Sequence, residues 1–437
     1  MRISKMHKLV GACLSAALLT ACGGNGGVSS STPVSVVPQT APLPAVPDAN
    51  LPQPLRSQSA YGQFASHRVR KNVAMESVLY SFGVAPDGEE PLAGLTNVGG
   101  TLYGTTFYGG GGSGCTGGYI YGCGAVFKIT TSGTESVLRG FAGGNDGKYP
   151  EAGLTNVGGT LYGTTTQGGS GSCADGVSCG TVFSITTAGA YRQLYSFAGG
   201  SDGSWPQAGL TNVNGTLYGT TVHDGANGFG TVFKITKRGR ESVLYSFADG
   251  SDGAFPEAGL TNVGGVLYGT TEKGGVSDLG TVFMITTSGA ESVIYSFAGG
   301  SDGQYPDADL TNVGGVLYGT TYEGGFPEDY GTVFKVTTSG SESVLYTFPG
   351  GRDGGDPNGL TSVGETLYGT TFGGGAHGWG TLFKITKRGT YRRLYSFAGG
   401  SDGGEPVAAP TNVGGVLYGT TFQGGANGNG TVFSLTP

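Results

Sequence analysis

One aspartate lies in a glycine-rich turn of each of seven repeated segments: Asp87, Asp146, Asp202, Asp252, Asp302, Asp353 and Asp402. Seven carboxylates on one face of a ring could suggest calcium, which takes about six to eight oxygen ligands from a single site. No copy, however, has the Asp-x-Asp-x-Asp-Gly clustering of a dedicated calcium loop. Because Asp before Gly commonly bonds its own backbone in a turn, the pattern predicts structural turns and no metal site.

Two variable positions in the repeats could form a binding surface. The residue before the repeat's proline is aromatic in copies two to five and acidic in copies one, six and seven. The residue before a Gly-Thr-Val-Phe-like segment is also often aromatic. Aromatic rings near polar groups suit flat, amphipathic ligands such as sugars or peptide strands. The expected ligand-binding residues are Tyr149, Trp205, Phe255, Tyr305, Phe229, Tyr330 and Trp379, with Glu90, Asp356 and Glu405 on the acidic side. The alternative is that these rings fill gaps between neighbouring structural units.

Residues for catalysis are less prominent. Only His223 and His377 lie in the repeat region, and no Ser or Cys recurs beside them. Acid–base chemistry would need two carboxylates several ångströms apart with separated pKa values. The candidates on long loops are Asp224, Glu272, Asp278, Glu323, Glu328 and Asp329. Since loop acids usually solubilise a surface, we predict a binding protein rather than an enzyme, with no cofactor.

The elements that position these residues come from a repeat of about fifty residues, which runs from Glu76 to the C-terminus. Its motif Leu-Tyr-Gly-Thr-Thr occurs seven times. Each copy holds four short segments rich in Val, Thr, Tyr and Phe, which in one copy are 241–247, 258–263, 266–271 and 280–286. Such segments, bounded by Gly, Asp, Asn or Pro, predict β-strands covered on both faces. The 90 glycines of the chain disfavour helices.

Four antiparallel strands in each of seven copies predict an all-β fold, a seven-bladed β-propeller of four-stranded blades. The segment 258–263 is expected to be innermost. The N-terminal strand 76–82 would then pair with the C-terminal strand 430–436, which closes the ring and removes an exposed edge. This split repeat argues against the alternative, an open β-solenoid. Tight turns such as 263–265 and 287–289 lie on one side, and the longer loops such as 249–256 and 272–279 form the opposite side, the long-loop face.

The first 75 residues predict export and anchoring. Residues 1–21 combine a basic start, an apolar stretch and small residues, as in a secretory signal too short to span a membrane. The sequence Leu-Thr-Ala-Cys resembles a bacterial lipobox, so Cys22 is the predicted lipidation site; an ordinary signal with an incidental Cys is the alternative. Residues 22–75, rich in Pro, Ser and Gly, are predicted to be a flexible tether to the 76–437 propeller.

Four cysteines remain after Cys13 and Cys22, all in two extended loops of the first two copies. Each of these two loops is longer than its equivalents in the other copies and contains one pair of cysteines, which predicts the disulfides Cys115–Cys123 and Cys173–Cys179. Disulfides fit an exported protein. A four-Cys zinc site is the alternative, but the spacings lack Cys-x-x-Cys.

The charge of the repeat region excludes one class of partner. Residues 76–437 carry 16 Lys and Arg against 29 Asp and Glu. Since affinity for nucleic acid depends on Lys and Arg that neutralise phosphates, nucleic acid is not an expected partner.

The repeat resembles the GloVer tandem repeat, a bacterial family described as having a choice of anchors. The resemblance rests on the Leu-Tyr-Gly-Thr-Thr and Gly-Thr-Val-Phe-Lys-Ile-Thr segments, as at 217–221 and 230–236, and covers 76–437. It implies an exported, surface-anchored, propeller-like protein, and it brings no catalytic residues or ligand. The order of the segments is also similar to NHL-type propeller repeats.

Together these features predict an outer-membrane lipoprotein of the cell envelope that binds a surface partner, glycan or protein, through the long-loop face. The alternatives are an enzyme that acts on polysaccharide with loop carboxylates and a purely structural envelope protein.

Overall fold

The computed structural model describes residues 75–115, 122–173 and 178–437. The predicted signal segment, Cys22 and nearly all of the predicted tether lie outside the described residues. Within the described part of the chain, no helix is long and apolar enough to cross a membrane.

The described residues form seven four-stranded antiparallel sheets, the blades of a β-propeller. From the inner to the outer strand, blade 1 contains Thr96–Val98, Thr101–Thr106, Ala125–Thr130 and Glu135–Gly140. Blade 2 contains Thr155–Val157, Thr160–Thr165, Thr181–Thr186 and Tyr191–Ser196. Blade 3 contains Thr211–Val213, Thr216–Thr221, Thr231–Thr236 and Glu241–Ser246. Blades 4 and 5 contain Thr261–Val263, Val266–Thr271, Thr281–Thr286 and Glu291–Ser296; and Thr311–Val313, Val316–Thr321, Thr332–Thr337 and Glu342–Thr347.

Blade 6 contains Gly355–Val363, Thr366–Gly373, Thr381–Thr386 and Tyr391–Ser396, and blade 7 contains Thr411–Val413, Val416–Thr421, Thr431–Thr436 and Met75–Ser81. A two-stranded ladder joins Gly88–Glu89 to Tyr108–Gly109. Short 3-10 turns lie at Ser113–Cys115, Gly144–Asp146, Gly200–Asp202, Gly250–Asp252, Gly300–Asp302 and Gly351–Asp353.

The ring closes as predicted, because the first strand completes the last blade. Met75–Ser81 pairs antiparallel with Thr431–Thr436, with Val78 opposite Phe433. The inner strand of blade 7 also contacts that of blade 1. Across the same junction, Thr420 Oγ1 donates to the carbonyl oxygen of Ala93 (2.9 Å).

Except in blade 6, where the inner strand is Gly355–Val363, the inner strands are shorter than the sequence predicted. In blade 4 the predicted segment 258–263 is a strand only at Thr261–Val263, because its first half turns away from the neighbouring strand of its own blade. The carbonyl oxygen of Ala258 there accepts a hydrogen bond from Thr220 Oγ1 of blade 3 at 3.0 Å. Backbone that would extend the blade is thus used to join two blades.

The core consists of seven apolar clusters, one at each junction between blades. At each junction the Phe that follows an outer strand meets the Phe of the next blade's third strand edge to face, as Phe247 meets Phe283 at 5.1 Å. The glycine of Leu-Tyr-Gly-Thr-Thr makes room for this ring, since a Cβ at Gly269 would lie 2.6 Å from Phe283. The repeated motif therefore encodes the packing of blade on blade.

Candidate functional site: the mouth of the central channel

The inner strands surround a central cavity of about 400 Å³. Its lining includes the residue that follows the repeat's proline in six of the seven blades: Leu92, Glu151, Gln207, Asp307, Asn358 and Val407. The residue at this position in blade 4, Glu257, is buried. The position is polar in blades 2 to 6 and apolar in blades 7 and 1.

The residue before each proline precedes this lining position by two residues, and its backbone is left-handed in all seven blades. The φ angles are 56° for Glu90, 59° for Tyr149, 60° for Trp205, 58° for Phe255, 57° for Tyr305, 56° for Asp356 and 54° for Glu405. Such angles are strained for residues other than glycine, and they persist only where the surroundings fix them.

Two backbone hydrogen bonds hold six of these residues between blades, and Asp356 donates the first of the two to Tyr330. The amide of Trp205 donates to the carbonyl oxygen of Cys179 in the preceding blade (3.0 Å), and its own carbonyl accepts from the amide of Val222 (3.1 Å). Phe255 bonds in the same way to Phe229 and Glu272, each at 3.0 Å. The ring of variable residues, here called the rim, is therefore positioned by the backbone, and its side chains are half-buried.

Part of the predicted aromatic set comes together on blades 3 and 4. Trp205 meets the His223 ring edge to face at 5.2 Å, His223 meets Phe255 at 5.6 Å, and Phe255 meets Phe229 at 5.8 Å. His223 was considered in the sequence only for catalysis, and the structure places it as a link between two rim aromatics. We call Trp205, His223, Phe255 and Phe229 the aromatic arc.

The remaining rim aromatics have other neighbours. Tyr149 stacks on Phe107 at 4.9 Å and lies edge to face with Tyr108. The Lys273 ammonium lies 3.8 Å from the centroid of the Tyr305 ring, within cation–π range.

The acidic side of the rim brings two carboxyl groups near each other. Burial, and then the charges of Glu89 and Glu405, raises the pKa of Glu90 to about 7. Burial also raises the pKa of Glu405. Glu90 Oε2 is buried and accepts no hydrogen bond among the described residues.

The other variable position lies against the next blade's turn. The Trp379 ring covers Gly399, where an added Cβ would lie 2.3 Å from ring atoms, and the Tyr330 ring covers Gly350 in the same way at 2.4 Å. Cys123 and Cys179 occupy this position in blades 1 and 2, and the predicted disulfides are confirmed, with Cα–Cα distances of 5.3 Å for Cys115–Cys123 and 5.5 Å for Cys173–Cys179.

The repeated aspartates bond to turns and to neighbouring tyrosines. Asp252 accepts hydrogen bonds from the Ala248 amide (2.7 Å) and the Tyr245 hydroxyl (2.6 Å), and Asp302 has the same two kinds of partner. In blade 1, Arg139 replaces the tyrosine and forms an ion pair with Asp146 at 2.6 Å. Within the described residues, no group of three His, Cys, Asp or Glu side chains could hold a metal ion.

A glutamate from the next blade's outer strand approaches most of these aspartates, which the sequence did not reveal. Burial, and then the charge of the nearby Asp202 or Asp252, raises the pKa of Glu241 and Glu291 to about 7. Such contacts depend on how two blades face each other.

Several loop carboxylates considered for acid–base chemistry are also engaged locally. Asp278 Oδ1 accepts from the Gly274 amide at 2.9 Å, and Asp329 Oδ1 accepts from the Gly324 amide at 2.6 Å. Glu323 accepts from the Gln304 side chain at 3.1 Å. The residues after the proline were not predicted to belong to a site, although their variation between Leu, Glu, Gln, Asp, Asn and Val at one repeat position is a signal that could have identified them.

A family model described as the Gloeobacter/Verrucomicrobia repeat matches residues 47–283, 112–328 and 324–437. No curated protein matches the chain significantly. Among solved structures, the BP39L lectin of Burkholderia pseudomallei is similar with a TM-score of 0.53 at 9% identity, covering 79% of this chain and 95% of that chain. Hydrazine synthase of Kuenenia stuttgartiensis has a TM-score of 0.49 at 16% identity, covering 78% of this chain and 94% of that chain. Likeness at such low identity concerns the fold alone.

Proposed function

Because this chain belongs to the Gloeobacter/Verrucomicrobia repeat family, we propose that it is a lipid-anchored envelope protein whose propeller binds a glycan at the channel mouth on the long-loop face. The disulfides and the repeat family indicate an extracellular protein. The finer location, an outer-membrane lipoprotein held through Cys22, is part of the proposal and rests on the Leu-Thr-Ala-Cys sequence.

The observation that supports binding is the placement of the aromatic arc beside a polar cavity. Trp205 and Phe255 precede the prolines whose next residues, Gln207 and Glu257, are buried and polar, and Gln207 lines the cavity. A sugar offers an apolar face of C–H groups and a periphery of hydroxyls, and an aromatic ring beside polar acceptors complements both. A strained backbone held at all seven rim positions fixes these side chains before a ligand arrives.

The test is a pair of aromatic truncations at the rim. We expect Trp205→Ala and Tyr305→Ala to weaken glycan binding by more than about tenfold, the scale of an anchor residue, while the melting temperature changes little. A glycan array identifies the ligand, and calorimetric titration then gives the affinity of each variant.

Phe326→Ala is the matched control, since Phe326 is an aromatic residue of a blade 5 loop that is 76% exposed and lies outside the rim. Unchanged affinity of Trp205→Ala and Tyr305→Ala would place the binding site elsewhere. If no glycan binds the wild-type protein, a protein partner or the purely structural role takes the place of this proposal.

One observation favours a second candidate, an enzyme that cleaves polysaccharide. A carboxyl group with a pKa of about 7 beside a second carboxyl resembles the acid and base pair of glycoside hydrolysis, and Glu90 with Glu405 fits that description. Glu90→Gln would then stop the release of reducing ends from a bound polysaccharide without loss of binding. Glu272→Gln and Glu323→Gln test the loop carboxylates in the same assay. Absence of cleavage by the wild-type protein would remove this candidate.

A further inference from the structure

The polar part of the channel lining carries acids without basic residues. Glu151, Asp307 and Asp309 line the cavity together with the amides Gln207 and Asn358, a set we call the throat. Among the described residues, no Lys, Arg or His lines this cavity. The whole repeat region is acidic as well, so the throat lies in a field that attracts cations.

A second, independent observation is that the buried side-chain oxygen of Gln207 lacks a hydrogen-bond donor among the described residues. Its side chain lines the cavity, only 4% of the residue is exposed, and its Oε1 has no hydrogen-bond partner among the described residues. A buried acceptor without a donor is unfavourable, so native proteins leave few of them unless a water or ligand fills the place. The missing partner of Gln207 is a hydrogen-bond donor.

The throat residues are better placed for an organic cation than for a metal ion. Glu151 and Asp307 belong to blades 2 and 5, on different parts of the ring, and no three acidic, Cys or His groups of the described residues converge on one point. A metal needs converging oxygens at short distances. An ammonium group has three donors, which separate acceptors such as a carboxylate and the Gln207 oxygen can share.

We propose that the throat binds a protonated amine and that the ligand of the channel mouth is an amino-sugar glycan with free amino groups. The inference rests on the proposed glycan-binding function, which supplies the sugar rings for the aromatic arc. The amine then enters the cavity beside Gln207 and the throat acids.

The test compares glucosamine oligomers with N-acetylglucosamine oligomers of equal length, and both with a simple aliphatic diamine, on the purified full chain by calorimetric titration. We expect the glucosamine oligomer to bind at least about tenfold more tightly than its acetylated counterpart, since acetylation removes the charge. The double variant Glu151→Gln/Asp307→Asn should abolish this preference.

Two controls separate a built site from general attraction to an acidic protein. The double variant Glu328→Gln/Glu365→Gln removes the same charge from exposed positions outside the cavity and should keep the preference. Gln207→Lys places an ammonium in the throat and should block the amine, which provides a second test if the first double variant does not fold.

The outcomes also distinguish this inference from the proposed function. Equal binding of both oligomers overturns the amine site and leaves glycan binding intact. If the diamine binds and neither oligomer does, the proposed glycan binding is wrong, and the amino-sugar ligand is wrong with it. Equal loss of preference in the throat and surface double variants would show attraction by net charge alone and overturn the site.

Discussion

At the residue scale, the position before the repeat's proline carries the feature that nothing in the sequence signals. A residue before proline is expected in an extended conformation. All seven are left-handed instead, because each donates a backbone hydrogen bond to the preceding blade and six of them also accept one from the next blade. The sequence identified these positions by their variation in side chain, but the conformation that aims the side chains follows from contacts between blades.

This strain gives a prediction at Glu405, where φ is 54°. Asn tolerates the left-handed region better than other residues with a side chain, whereas Gln has no such tolerance. Both Glu405→Asn and Glu405→Gln remove the buried carboxyl group. We expect the Asn variant to exceed the Gln variant in free energy of unfolding by about 0.5–1 kcal/mol. Chemical denaturation of the two variants measures the difference, and equal stabilities would show that the backbone at Glu405 is unstrained.

At the scale of the elements, the strands that contain the repeated motif were predicted closely and the inner strands were not. Val266–Thr271 coincides with its predicted segment, because two-face burial and the tight turn before it are local properties. The inner strand Thr261–Val263 is half its predicted length. The carbonyl oxygens of Ala258 and Leu260, which precede this strand, accept hydrogen bonds from Thr220 and Thr211 of the preceding blade. Four of the five throat residues lie at the repeat position just before Ala258. Neither feature could be predicted, since both depend on a partner about 40 to 50 positions away in the chain.

The contact between blades gives a second prediction, with a matched control in the next repeat. Thr220 Oγ1 donates to the Ala258 carbonyl at 3.0 Å in a buried position. Thr270, at the same repeat position and equally buried, has an Oγ1 without a hydrogen-bond partner among the described residues. Thr220→Val should lower the free energy of unfolding by about 1–3 kcal/mol, because it leaves a buried carbonyl without a donor.

Thr270→Val should be neutral or stabilising, since it removes a buried hydroxyl that has no partner and nearly preserves the side-chain shape. Thermal or chemical denaturation of the two variants gives the comparison. Similar losses at both positions would mean that methyl packing, and not the hydrogen bond, determines the contribution of this threonine.

At the scale of the whole molecule, one acidic contact recurs around the ring. Glu76, Glu135, Glu241, Glu291 and Glu342 each begin or nearly begin an outer strand and lie near the turn Asp of the preceding blade. At the two other junctions, Tyr191 and Tyr391 take the place of the glutamate and bond to the backbone carbonyls of Asp146 and Asp353. Five similar junctions should therefore respond to pH together.

The raised pKa values of these glutamates determine whether folding stability rises or falls with pH. Burial, and then the charge of the neighbouring Asp, raises the pKa of each of these five glutamates from 4.5 to about 7. Between these values the folded protein holds more protons than the unfolded chain, so stability falls as pH rises. The stabilisation that these protonated glutamates provide is complete below pH 4.5 and is lost as the pH rises to about 7. The raised pKa values of Glu90 and Glu405 act in the same direction.

We expect the melting temperature to be higher at pH 5 than at pH 8. Since each glutamate is about half exposed, solvent screening reduces the effect to a decrease on the order of 5 °C for the five junctions together. Calorimetry at constant ionic strength across this range measures it. Glu241→Gln should remove about one fifth of the pH-dependent change, because one junction of five no longer titrates. A melting temperature that is flat or rises from pH 5 to pH 8 would show that these glutamates are ionised in the folded ring, and the junctions would then have to tolerate five pairs of like charges.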